Sequence, residues 1–144
     1  MTATTATTAL LRAVNVTAVR CADRVAFDFT TNQNTPPKCT IAYDQPPFTM
    51  DGSGAPVSVA GSAFVRVRCE SAYGYDFSSG QPTYTGPKRI TASGTQHVRE
   101  VVETGDFEGV LNWVIGLDAQ RPFAATTTTV AGPQALNRLL IRFF

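Results

Sequence analysis

Few side chains in this chain of 144 residues are of the types that carry out chemistry. His97 is the sole histidine and stands just ahead of an apolar alternating run that begins at Val98. A catalytic histidine needs a nucleophile and an orienting acid beside it in space. No G-x-S-x-G elbow occurs, and Gly52-Ser53-Gly54 reads as a turn. The plainer reading of His97 is a partly exposed polar residue at a strand end. No catalytic residue is therefore assigned, the chain is read as no enzyme, and a hydrolase built on His97 is the least favoured function. Asp106 and Glu108 flank Phe107 and are the right types for a glycosidase pair. Such carboxyl groups must face each other across a sugar cleft, roughly 5 to 9.5 Å apart. Two residues apart in a corner, they are expected to solvate a bend while Phe107 packs inward.

Metal and cofactor chemistry finds no support either. Cys21, Cys39 and Cys69 contain no C-x-x-C, and a single histidine cannot complete a zinc set. No calcium-loop spacing surrounds Asp51, Asp106 or Asp118. No Walker lysine follows Gly52-Ser53-Gly54. No metal and no cofactor are expected. Three cysteines permit one disulfide or none. If a bridge forms, Cys39 with Cys69 is the favoured pair, because both fall in or beside strands and Cys21 falls near a turn.

What remains are residues suited to binding. Tyr73, Tyr75 and Phe77 alternate in a Gly- and Ser-rich stretch; exposed rings in a row can stack on sugar faces or form a protein contact. The plainer alternative is a satellite cluster covering one end of the fold. Arg66 and Arg68 lie on the wet face of a strand, where their planar forks suit carboxylates or simply keep the sheet soluble. The candidate ligand-binding residues are thus Tyr73, Tyr75, Arg66 and Arg68. Twelve Lys and Arg stand against eleven Asp and Glu, a net charge of +1. That balance gives no electrostatic reason to expect nucleic acid or an anionic membrane surface as partner.

The elements that must position these residues are strands. In Val98–Asp118, two alternating apolar runs meet at Thr104-Gly105-Asp106-Phe107-Glu108-Gly109. Leu111, Trp113, Ile115 and Leu117 share one face and Val110, Asn112, Val114 and Gly116 the other, the period of a strand with one face in a core. Trp113, the only tryptophan, is expected to anchor that core. Val14 to Arg20 and Arg24 to Phe29 form a hairpin signal around Cys21-Ala22-Asp23. A loop by composition spans 30–37, a short strand 39–43, a turn-rich loop 50–56 and an alternating strand 63–70. The stretch from Ser71 to Lys88 has no clean period and reads as an extended loop containing one short strand. FAATTTTV at 123–130 has strong β-propensity. Leu136–Phe144 closes the chain with Asn137, Leu139, Ile141 and Phe143 on one face, a helical turn beginning at Gln134 being the alternative at its start.

About eight short strands with regular turns predict an all-β chain, a compact single-domain β-sandwich. Residues 1–12, rich in Thr and Ala, read as a flexible leader, and 13–144 as the folded domain. The leader lacks the basic and apolar regions of a signal peptide, and no apolar run nears the ~20 residues of a membrane span.

Taken in order, three sets of segments carry a resemblance. They are Asp23-Arg24-Val25-Ala26-Phe27-Asp28-Phe29; Asp51-Gly52-Ser53-Gly54 and Gly61-Ser62-Ala63-Phe64-Val65-Arg66-Val67; and Val98 through Gly105-Asp106-Phe107-Glu108-Gly109 to Trp113-Val114-Ile115-Gly116-Leu117-Asp118 with Arg121-Pro122-Phe123. Over residues 13–143 the chain resembles the AMIN-like domain of secreted proteins and lipoproteins of mycobacteria and other actinobacteria. The resemblance implies a sandwich related to the AMIN domain. It also implies a non-catalytic module that binds or localises in the cell envelope, with peptidoglycan or another cell-wall glycan, or an envelope protein, as partner. It transfers no catalytic residue. A protein-interaction domain and a lipid-carrying sandwich are the alternatives. The chain departs from the family in showing neither signal peptide nor lipobox, in its three cysteines, and in its last strand, where an acidic residue is more usual near Arg142.

Overall fold

A computed structural model describes residues 8–31, 35–132 and 135–144. In chain order the strands are β1 (Ala9–Val19), β2 (Ala22–Thr31), β3 (Lys38–Asp44), β4 (Phe48–Thr49), β5 (Pro56–Val57), β6 (Ala63–Glu70) and β7 (Ala72–Tyr73). They continue with β8 (Tyr75–Asp76), β9 (Gln81–Pro82), β10 (Arg89–Thr91), β11 (Val98–Phe107), β12 (Val110–Leu117), β13 (Phe123–Val130) and β14 (Leu136–Phe143). Eight of these exceed six residues, matching the number of strands expected from the periodicity. They form a sandwich of two five-stranded sheets, ordered β13-β14-β2-β1-β7 and β10-β11-β12-β6-β3. Two small pairs, β4-β5 and β8-β9, lie outside them.

The pleat explains which residues went inside. Along β2, Val25, Phe27 and Phe29 point inward, as do Leu139, Ile141 and Phe143 along β14. From the other sheet come Val65, Val67 and Cys69 of β6 and Leu111, Trp113, Ile115 and Leu117 of β12. Trp113 meets Phe27 edge-on at 5.8 Å between centroids, joining the sheets, and meets Tyr84 the same way at 5.6 Å. Each such side chain, fully withdrawn from water, contributes roughly 1.5–3 kcal/mol.

Several expectations need correction. β1 begins at Ala9, with Ala9 and Leu11 buried, so 9–12 belong to the sheet and not to a leader. The apolar alternation Ala9/Leu11 continues that of Val14/Val16 across a register shift at Leu11/Ala13, and that one-residue irregularity hides the period. β12 is buried on both faces, not one. Phe48, Phe64 and Val114, with Val57 and Val59, form a second small core beneath the segment that follows β3. The backbone of that segment comes so close to Gly116 that a Cβ there would lie 1.9 Å from the Ala60 carbonyl oxygen. Lastly, Ser71–Lys88 contains three two-residue strands, not one. Thr30 and Thr31, expected as loop, belong to β2, while residues 32–34 and the helical start at Gln134 lie outside the described residues; Leu136 onward is strand.

The turns follow from sequence. Glu108 and Gly109, at φ 52° and 79°, make the two-residue connection of the β11–β12 hairpin. Positive φ at both central residues gives the right hand of twist for a tight hairpin. Phe107 does not pack inward as expected. It is 48% exposed, its ring resting on Gly52, because the register sets it opposite Val110, on the face of the hairpin turned away from the core that holds Leu111 and Trp113.

Buried polar groups lock the sheets together. Asp23 on β2 is fully buried and accepts the backbone N–H groups of Gln96, His97 and Val98 at 3.1, 2.5 and 2.9 Å. It thereby fixes the entry of β11 against the other sheet. Asp23→Ala would take a shared charged acceptor from three backbone donors, that of Val98 buried and those of Gln96 and His97 partly so, each such loss costing up to ~1–3 kcal/mol. The expected outcome is a loss of about 3–5 kcal/mol in unfolding free energy, read from guanidinium denaturation.

Tyr84 donates its hydroxyl to the Pro87 carbonyl. Burial, with Glu103 nearby as the lesser cause, pushes the phenol up to about 12. Between the ordinary tyrosine value near 10 and about 12, the folded state holds a proton that the unfolded state releases, so stability falls as pH rises through that window. Ultraviolet titration of the folded protein should show one of the four tyrosines ionising only near pH 12, and denaturation midpoints should drop from pH 10 upward.

Candidate functional site

The aromatic residues singled out in sequence converge at one end of the sandwich. β7 lies parallel to β1, pairing Ala72 with Ala9 and Tyr73 with Leu10. The chain then folds into the β8–β9 hairpin, closed by an Asp turn in which Ser78 donates both its N–H and its hydroxyl to Asp76 Oδ1, at 3.0 and 2.7 Å. Those bonds hold the Asp76 carboxyl below its ordinary range, so it stays ionised at the surface. Phe77, at the tip, is 74% exposed and touches Tyr73 and Tyr75 edge-on at 5.5 and 5.1 Å. Together the three rings form a ridge.

The ridge is anchored to the core beneath it. Gly74 donates its N–H to Asp106 Oδ2 at 2.8 Å, and its carbonyl accepts from Thr83 and Tyr84. Tyr84 in turn packs on Trp113. Rings that would otherwise rotate freely are thus presented in a defined order, which lowers the entropic cost of binding.

Two open grooves flank the ridge. One, of about 560 Å³, runs between the rings and β1–β2, with Arg12, Thr30, Asp76 and Ser78 on its polar side. Arg12 Nε donates to Thr30 Oγ1 at 3.0 Å. The other, of about 670 Å³, runs between the same rings and the β11–β12 turn, where Asp106 and Glu108 supply carboxylates. Ring faces bordered by carboxylates, hydroxyls and one guanidinium can stack on a ring-shaped polar ligand and accept its hydroxyl donors.

Arg66 and Arg68 are not brought to this site. They lie on the outer face of the other sheet, beside a separate hollow. Arg66 Nε donates to Asp44 at 2.7 Å and its guanidinium stacks over Phe48 at 5.5 Å. Arg68 donates to Glu70 at 2.9 Å. The carboxyls of Asp44 and Glu70 are lowered accordingly, each first by its arginine. Sequence reasoning paired the two arginines with the rings by type alone; their partners Asp44 and Glu70 come from β3 and from β6 itself. It missed Arg12, hidden in the assumed leader, and Asp76.

The remaining candidates are accounted for. Cys39 and Cys69 are directly opposite each other on β3 and β6 and are joined by a disulfide, while Cys21 is free and exposed. His97 Nδ1 lies 3.3 Å from Asp118 Oδ2. Asp118 is gripped by Arg121 through two hydrogen bonds, 3.1 and 2.8 Å. Arg121, with His97 second, holds that carboxyl far below the usual carboxylate range. His97 lines neither of the grooves beside the rings. Asp51 accepts from Asn112 at 2.8 Å and pins the 50–55 turn to β12. Among the described residues no cluster of His, Cys, Asp and Glu has the geometry to hold a metal, and no helix is long and apolar enough to cross a membrane.

No curated protein and no solved structure matches the chain. A family model, that of the AMIN-like domain, matches residues 9–143, beginning at the first residue of β1 and ending at the last residue of β14. With that match spanning both sheets and both strands that close the sandwich, the chain belongs to the AMIN-like domain family.

Proposed function

We propose that this chain is a non-catalytic binding module of the cell envelope, and that its Tyr73-Tyr75-Phe77 ridge takes a cell-wall glycan, peptidoglycan foremost. The observation that carries this reading is the ridge itself: three mutually packed rings, the outermost largely exposed, between two grooves edged by Asp76, Asp106 and Glu108. Sugars offer apolar C–H faces to rings and hydroxyl donors to carboxylates, and both are present together. Family membership supports the envelope, since AMIN-like domains are generally cell-wall-associated binding modules. The Cys39–Cys69 bridge supports a location outside the reducing cytoplasm, as a secreted or lipid-anchored protein of an actinobacterial envelope. Arg66 and Arg68, already held by acids, have no ligand in this reading. A hydrolase is disfavoured because His97 and Asp118 are locked into a corner with Arg121. A lipid carrier is disfavoured because the space between the sheets is filled by side chains such as Trp113 and Phe27.

A second reading, a protein-interaction domain, is supported by β13. It is an edge strand whose residues from Ala124 to Thr129 are exposed, a shape open to strand addition.

Co-sedimentation with insoluble actinobacterial peptidoglycan tests the first reading. Wild-type protein should pellet with the wall. Tyr75→Ala/Phe77→Ala, which removes exposed rings only, should bind about thirty-fold more weakly, as expected of aromatic anchors worth ~2 kcal/mol, with its thermal unfolding little changed. Wild-type protein left in the supernatant would overturn the glycan reading in favour of a protein partner. Undiminished binding by the double variant would overturn the site.

A further inference from the structure

At the opposite end of the β1–β2 hairpin from the aromatic ridge, three arginines line one depression and form no ion pair. Arg24 of β2 and Arg142 of β14 are direct cross-strand partners. Alternation from the core residues Val25 and Ile141 puts both on the outer face of the sheet. Arg20, in the turn between β1 and β2, lines the same depression of about 200 Å³. Like charges directly opposed across an antiparallel pair destabilise it, and the pattern elsewhere avoids this. Arg66, Arg68, Arg89, Arg121 and Arg138 are paired with Asp44, Glu70, Glu100, Asp118 and Asp28. Asp28, the acid on that face of β2, is fully committed to Arg138 by bonds of 2.7 and 3.0 Å. Among the described residues, Arg20, Arg24 and Arg142 take part in no ion pair, nor do Arg12 and Arg99, but only Arg24 and Arg142 are set opposite each other in a strand pair. The Nε–H of Arg24 is buried with no acceptor, a donor that is costly to leave unmade.

We propose that this depression is a binding site for a phosphate monoester. A phosphomonoester carries close to two negative charges and three acceptor oxygens. It can therefore engage the forks of Arg24 and Arg142 at once, with Arg20 above, and relieve their repulsion. A carboxylate, with one charge and two oxygens, would leave the pair half-neutralised. Val19 and Phe144, 40% and 48% exposed, edge the same depression with apolar surface, so the phosphate is one carried on an organic group. That group is either a soluble phosphorylated compound or a lipid whose headgroup is a phosphomonoester. The site shares no residue with the aromatic grooves and stands independently of the glycan reading.

Calorimetric titration with glycerol 3-phosphate, and flotation with phosphatidic acid vesicles against phosphatidylcholine vesicles, test it. Wild-type protein, Arg24→Gln and Arg142→Gln would be compared at fixed ionic strength. Wild type should bind glycerol 3-phosphate, and each variant at least ten-fold more weakly. Because the substitution removes repulsion, the unliganded variants should unfold at the same temperature as wild type or higher, which separates lost binding from lost folding. Binding together with flotation that the arginine variants lose assigns a lipid headgroup. Binding without flotation assigns a soluble phosphomonoester. Binding of neither probe by wild type, or equal binding by wild type and both variants, would overturn the proposal.

Discussion

The structure depends first on the burial of Trp113. Its ring reaches across from β12 to Phe27 in the facing sheet and sideways to Tyr84, so one side chain fixes the spacing of the sheets and the seat of the loop that carries the aromatic ridge. Removing water from this contact supplies the driving force. The geometry of the contact transmits order outward, from Tyr84 through the Gly74 carbonyl to the β8–β9 hairpin. A surface made of short strands, with little core of its own, is rigid because it stands on the core of the sandwich.

Burial has a polar cost, and the chain meets it at a few places. Asp23 collects three backbone donors where β11 enters its sheet. Asp51 and Asn112 join the turn after β4 to β12, and Glu100 accepts from Arg89 and from the Ala60 amide. Each of these acids occupies a junction between elements. Asp23 and Glu100 are buried and Asp51 is exposed, yet each holds a strand end or a loop in place. The same holds for His97, whose partner Asp118 is bound to Arg121.

Charge is distributed unevenly although it nearly cancels in total. Alternation along β2 and β14 sends Arg24 and Arg142 to one face, and antiparallel pairing sets them side by side. On the other sheet the same rules set Arg66 near Asp44 and Arg68 near Glu70. Whether an arginine is neutralised depends on which side chains share its face, from its own strand for Arg68 and from the neighbouring strand for Arg66, which net charge does not report.

Much of this was readable beforehand. The period of two in Val25/Phe27/Phe29, in Val65/Val67/Cys69 and in Leu111/Trp113/Ile115/Leu117 determines strands with an apolar face, and two-sheet burial follows because such faces must meet. The ridge was legible as alternating rings at 73, 75 and 77. Illegible were facts that hinge on distant partners. The register shift at Leu11/Ala13 interrupts the alternation that would have marked Ala9 as strand. The second core over β12 forms only when the segment after β3 folds back on Gly116. The sequence by itself determined that this chain is a β-sandwich with its tryptophan at the centre, because local alternation dictates which side of a strand must leave water. Only the tertiary structure decided which charges and rings meet at the surface, because those meetings are set by pairings between strands far apart in the chain.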